Sequence, residues 1–74
     1  MRTDTSEYVN SHGRNPRGRG LWMFRMIGTD GNGRFTDYVG EATGTMAEAR
    51  ATVARRFKQE VGGVQKVTEA IVLP

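Results

Sequence analysis

The stretch LWMFRMIGTDGNGRFTDYVGEA, Leu21 to Ala42, decides the fold. Its first part, Leu21 to Thr29, is aromatic and apolar and too short for a helix of usual length, so it predicts a strand. Asp30-Gly31-Asn32-Gly33 follows, and Asp-Gly and Asn-Gly pairs supply the positive φ angles of a tight hairpin turn. Arg34 to Ala42 is then the return strand, with Gly40 marking a bulge or a strand end. Side chains of a strand alternate between faces. Trp22, Phe24 and Met26 therefore share one face, and Leu21, Met23 and Ile27 share the other, with Arg25 among them.

Downstream of the hairpin the period changes from two to nearly four. Met46, Ala49, Val53, Phe57 and Val61 recur at three- and four-residue steps and make one apolar stripe. Thr45 and Glu48 fit a capping box, so the helix is expected over 46–61. Gly62-Gly63 stops it. Arg55 and Lys58 fall opposite the stripe and Arg56 at its border. Arg50 lies inside the apolar arc, and it is expected to snorkel at the sheet edge rather than pair with Glu41 or Glu60. Val64 to Leu73 reads as a last strand. The expected order is β-β-α-β. It implies an α+β fold, with a three- or four-stranded antiparallel sheet and one helix packed on one face. Residues 1–74 make a single domain. Residues 1–7 are polar and expected to be flexible, Tyr8 and Val9 to open a short strand, and Ser11 to Gly20 to be a loop.

Composition removes several classes of function. The chain has 74 residues, no cysteine and a net charge of +3. No disulfide framework and no thiolate metal site is possible. No apolar run approaches a membrane span, and Met1 to Asn10 has no signal-peptide core, so a cytoplasmic protein is expected. His12 is the single histidine, and Ser6 and Ser11 lie near it without an acid at any recognisable spacing. No catalytic constellation, metal site or cofactor is expected, and the chain does not read as an enzyme. The Asp30–Gly33 turn fails as a calcium loop because Arg34 occupies an alternate ligand position. There is no phosphate-binding glycine loop.

What the sequence offers instead is a binding surface. Arginines supply most of the basic charge, and their guanidinium groups suit phosphate and carboxylate partners. The segment HGRNPRGRGLWMF, His12 to Phe24, places Arg14, Arg17 and Arg19 among glycines that let a partner approach closely. Arg17-Gly18-Arg19 is similar to the core of an AT-hook, which enters the DNA minor groove, although Gly20 stands where that motif has proline. A second signal is geometric. One helix covers one face of a sheet, so Leu21, Met23, Ile27 and Arg25 need the N-terminal segment, a second copy or a partner over them. Arg14, Arg17, Arg19, Arg25, Leu21, Met23 and Ile27 are the expected contact residues.

The pattern His12-Gly13-x-x-Pro16-Arg17-Gly18-x-Gly20-x-Trp22-x-Phe24 resembles a group of small proteins of bacteriophages and mobile elements. In that group the pattern precedes a glycine-containing strand and an alanine-rich helix with a Glu-Ala-Arg triplet, here Glu48-Ala49-Arg50. Ile71-Val72-Leu73-Pro74 supplies a similar ending. A looser likeness is to the arm-binding domain of tyrosine integrases, a three-stranded sheet plus a helix. The first resemblance implies an accessory protein acting in a bacterial cytoplasm. The expected function is non-enzymatic binding to a host protein or ribonucleoprotein complex, in the manner of an anti-CRISPR or anti-restriction inhibitor. Direct DNA or RNA binding and a structural or homo-oligomeric role are the alternatives. No membrane partner is expected.

Overall fold

The computed structural model describes all 74 residues. In chain order it has β1 (Arg2–Asp4), α1 (Ser6–His12), β2 (Arg19–Asp30), β3 (Phe35–Thr45), α2 (Met46–Glu60) and β4 (Val64–Val72). The four strands form one sheet in the order β1-β4-β2-β3. The fold is α+β, and its β2-β3-α2-β4 part follows the expected order. The sheet is mixed, not wholly antiparallel: β2 pairs antiparallel with β3 and β4, while β1 lies parallel to β4.

The hairpin forms because Asp30 organises its own turn. Its Oδ1 accepts from the backbone N–H of Asn32 at 2.8 Å and of Arg34 at 2.9 Å. Only Gly33 takes a positive φ there, so the turn is a longer aspartate-centred one and not a two-residue turn. Pairing then runs unbroken from Arg19↔Thr45 to Thr29↔Phe35. Gly40 makes no bulge. It faces α2, where a Cβ would come within 3.0 Å of both the Tyr38 ring and Val53 Cγ1. The absent side chain lets helix and sheet close up.

The capping box at the start of α2 is complete. Glu48 N–H donates to Thr45 Oγ1 at 3.1 Å, and Thr45 N–H donates to Glu48 Oε1 at 2.9 Å. The helix ends at Glu60 with Val61 in an extended conformation, so the Gly62-Gly63 pair follows the stop rather than making it. Ala49, Val53 and Phe57 are buried, against Trp22, Phe24, Met26, Val67, Ala70 and Val72 from the sheet. Tyr38 stacks on Phe57 with ring centroids 5.2 Å apart. This single layer of contact is the core.

The polar N-terminus forms regular elements. Residues expected to be flexible carry β1 and the first residues of α1, and Tyr8 and Val9 are helical rather than extended. Asp4 Oδ1 accepts from Ser6 N–H at 2.9 Å and Ser6 Oγ at 2.7 Å, which starts α1. Gly13, in the left-handed region, ends it and donates to Val9 O at 2.8 Å. Seven residues give too few turns for a periodic signal to emerge. Arg50 donates to Thr3 Oγ1 at 2.7 Å, fastening α2 to β1, so its partner is a hydroxyl and not Glu41 or Glu60.

Candidate functional site

Both helices lie on one side of the sheet. α2 covers Trp22, Phe24 and Met26, and Tyr8 of α1 packs on Trp22 with ring centroids 5.5 Å apart. The other face has no helix or loop over it. Leu21 is 60% exposed, Met23 40%, Phe35 73% and Val39 57%. The register explains why they share this face. Met23 stands opposite Glu41, Arg25 opposite Val39 and Thr29 opposite Phe35. Paired residues of neighbouring strands point the same way.

Arg25 sits in the middle of this face. Its direct neighbours are Val39 on β3 and Ile71 on β4. Asp37 and Glu41 are its diagonal neighbours on one side and Glu69 on the other. It forms an ion pair with none of them: the two pairs in the protein are Arg2–Glu69 at 3.8 Å and Arg19–Glu48 at 3.0 Å. The face therefore mixes large apolar groups with one free guanidinium and a ring of carboxylates.

At the N-terminal end of β2 the open face runs into a cavity of about 330 Å³, lined by Tyr8, His12, Arg17, Arg19, Leu21, Trp22, Met23 and Leu73, among others. The structure thus brings four of the expected contact residues together: Arg17, Arg19, Leu21 and Met23. Arg25 and Ile27 continue the same face along β2, with Ile27 half-buried between Asp37 and Glu69 in register. Arg14 stays outside the cavity lining, on the exposed loop between α1 and β2. His12 stacks on Tyr8 at 4.1 Å, a local packing role. Trp22 Nε1 donates to Gly44 O at 3.1 Å, tying the floor of the cavity to β3.

Arg19 is tied to the helix as well as to the loop. Glu48 accepts from the Thr45 backbone N–H, lies beside the Thr45 hydroxyl and faces Arg19, and these hold its carboxyl below the usual range. Arg17 has no acidic partner, so it is the freer of the two cations at the cavity. Phe35, the most exposed large apolar residue of the face, and Val39 were not among the expected contacts. Their signal is the alternation Phe35, Asp37, Val39, Glu41 along β3, which places them opposite Tyr38 and the glycines.

A second concavity, of about 580 Å³, lies between α2 and the start of β4 and is lined by Arg55, Lys58 and Lys66 with Ala54 and Val67. No three histidine, aspartate or glutamate side chains converge to hold a metal ion. No helix is long and apolar enough to cross a membrane. No family model, curated protein or solved structure matches this chain.

Proposed function

We propose that this chain is a non-enzymatic binding protein that docks a protein partner on the open face of its sheet. The observation that carries this reading is the exposure of Leu21, Met23, Phe35 and Val39 on one uncovered face. Large apolar groups exposed together on one face, with charged residues set among them, mark interaction sites more often than plain solvent-facing surface does. A protein partner suits the face better than a nucleic acid does. Asp37, Glu41 and Glu69 around Arg25 repel a phosphate backbone, whereas they complement a partner that brings both apolar and basic groups. Arg17, at the edge of the same face, adds a cation for the rim.

The likeness of the His12–Phe24 segment to small phage and mobile-element proteins supports one setting for this docking. The partner is then a host defence or nucleic-acid-processing complex, and the action that of an anti-CRISPR or anti-restriction inhibitor in a bacterial cytoplasm. The test is capture from nuclease-treated bacterial lysate by the unaltered chain and by a Val39→Glu variant. A protein retained by the first and lost by the second supports the reading. Capture that disappears with nuclease treatment favours direct nucleic-acid binding through the arginine loop. Sedimentation of the purified chain distinguishes a second copy as the occupant.

A further inference from the structure

β4 is nine residues long, yet β1 pairs only with Glu69, Ala70 and Ile71. The outer edge of β4 from Val64 to Thr68 therefore has no strand beside it. An unpaired edge presents a row of backbone donors and acceptors ready to accept another strand. The other outer edge of the sheet, on β3, is treated differently. There Arg56 Nη1 donates to the Glu41 carbonyl at 2.9 Å, and Tyr38 donates to Glu60. On β3 one edge carbonyl, that of Glu41, is thus occupied by a side chain of α2, and no side chain hydrogen-bonds to the Val64–Thr68 backbone.

Alongside the bare edge runs the 580 Å³ concavity, lined by Met1, Ala54 and Val67 together with Arg55, Lys58 and Lys66. No carboxylate lines it. None of the three cations forms an ion pair or a hydrogen bond within the chain. Three unpaired cations beside an open strand edge and an apolar groove match an extended segment that carries carboxylates.

We infer that the groove between α2 and the Val64–Thr68 edge of β4 binds an extended acidic peptide by strand addition. The peptide lies in line with β1, end to end with Met1. Its backbone pairs with the β4 edge, the side chains that face α2 carry carboxylates to Arg55 and Lys58, and the side chains between them lie on the other face, where Lys66 stands opposite Thr29. The pairing of β4 with β2 shifts register at Ile27/Gly28 and at Thr29/Asp30. The resulting twist limits the added strand to a few residues, so the cations supply much of the affinity and salt weakens it. A nucleic acid would use the cations and leave the backbone edge idle. Arg55 and Lys58 lie on the α2 side of the sheet, away from Leu21, Met23 and Val39, so the site is tested separately from the open face through those two residues.

The experiment is a titration of the isotope-labelled chain, followed by amide chemical shifts, with a short peptide of alternating glutamate and valine. Three probes accompany it: the same peptide with lysine for glutamate, one with central prolines at unchanged charge, and single-stranded oligothymidylate. The expected result is that the glutamate peptide shifts the amides of Val64–Thr68 and slows their hydrogen exchange. The proline and lysine peptides fail to do so, and Arg55→Glu with Lys58→Glu weakens binding by at least about tenfold. Both replaced side chains are exposed, and circular dichroism checks that the variant folds. The proline peptide tests the strand pairing without altering the protein. Equal binding of the proline peptide or the oligonucleotide would show a plain anion site and overturn the proposal. Shifts centred on another surface, or none at millimolar peptide, would overturn it too.

Discussion

On β2, Phe24 is fully buried and Met23, the next residue back, is left 40% exposed. The same strand builds both faces of the sheet, and both are apolar. The face that carries Trp22, Phe24 and Met26 meets α2, Tyr8 and the Tyr38–Phe57 stack. The face that carries Leu21, Met23, Phe35 and Val39 meets nothing. An apolar residue contributes to stability only through what covers it, roughly 25 cal/mol per Å² of apolar surface removed from water. So the covered face holds the fold, and the open face is available for binding without a large effect on folding.

The sharpest way to break this comparison is to truncate across it. Phe24→Ala and Phe57→Ala should each cost about 3–5 kcal/mol in denaturant melts, because each empties a fully buried site. Met23→Ala should change stability by less than about 1 kcal/mol. If Phe57→Ala costs under about 1 kcal/mol, the packing of α2 on this face is wrong. If Met23→Ala costs as much as Phe24→Ala, the open face is covered after all.

Glycines sharpen the same contrast. A Cβ on Gly28 would stand 2.9 Å from the Lys66 carbonyl oxygen and 3.0 Å from Phe57 and Val64 side-chain atoms. Gly28→Ala should therefore cost about 1–3 kcal/mol through overpacking. Gly20 meets nothing within 4 Å, so Gly20→Ala should leave the melting temperature nearly unchanged. Similar losses from the two would show that the strand, and not the packing on it, is what alanine disturbs.

Acid tests the covered side through its helix starts. Asp4 is held below its ordinary value of 3.8 by the Ser6 hydroxyl and then the Ser6 backbone N–H. Glu48 is held below 4.5 by the Thr45 backbone N–H, then the Thr45 hydroxyl and Arg19. Both carboxyls have depressed values in the folded state. Their stabilisation is present above the ordinary values and lost as pH falls through the folded ones. Amide shifts of Ser6 and Thr45 should move together with fraying of α1 and α2 below about pH 4, before the sheet amides respond. Simultaneous loss of sheet and caps would count against separate helix starts.

The smallest effect is expected at the arginine loop. Arg17→Ala with Arg19→Ala should keep the melting temperature within a few degrees, since an ion pair as exposed as Arg19–Glu48 contributes little to stability. The double variant should weaken partner capture by the open face. A large fall in stability would move these arginines from the binding surface into the framework.

The sequence by itself determined the parts that rest on local chemistry. The hairpin is legible from Asp30 to Gly33, the α2 start from Thr45 and Glu48, the apolar stripe from the spacing of Ala49, Val53 and Phe57, and the two-faced character of β2 from its alternation. Arg17, Arg19, Leu21 and Met23 were legible as neighbours because they lie within a few residues of each other. What only the tertiary structure decided depends on contacts far apart in the chain. β1 is three residues with no periodicity, and it exists because Thr3 meets Arg50 and Arg2 meets Glu69. Its parallel pairing leaves the Val64–Thr68 edge bare. Phe35 and Val39 join Leu21 and Met23 only through the β2–β3 register, and the Val64–Thr68 edge lies beside Arg55 and Lys58 only because β4 returns next to α2. A single residue of slip would turn each strand's set of side chains to the other face, and register is set by the whole packed sheet.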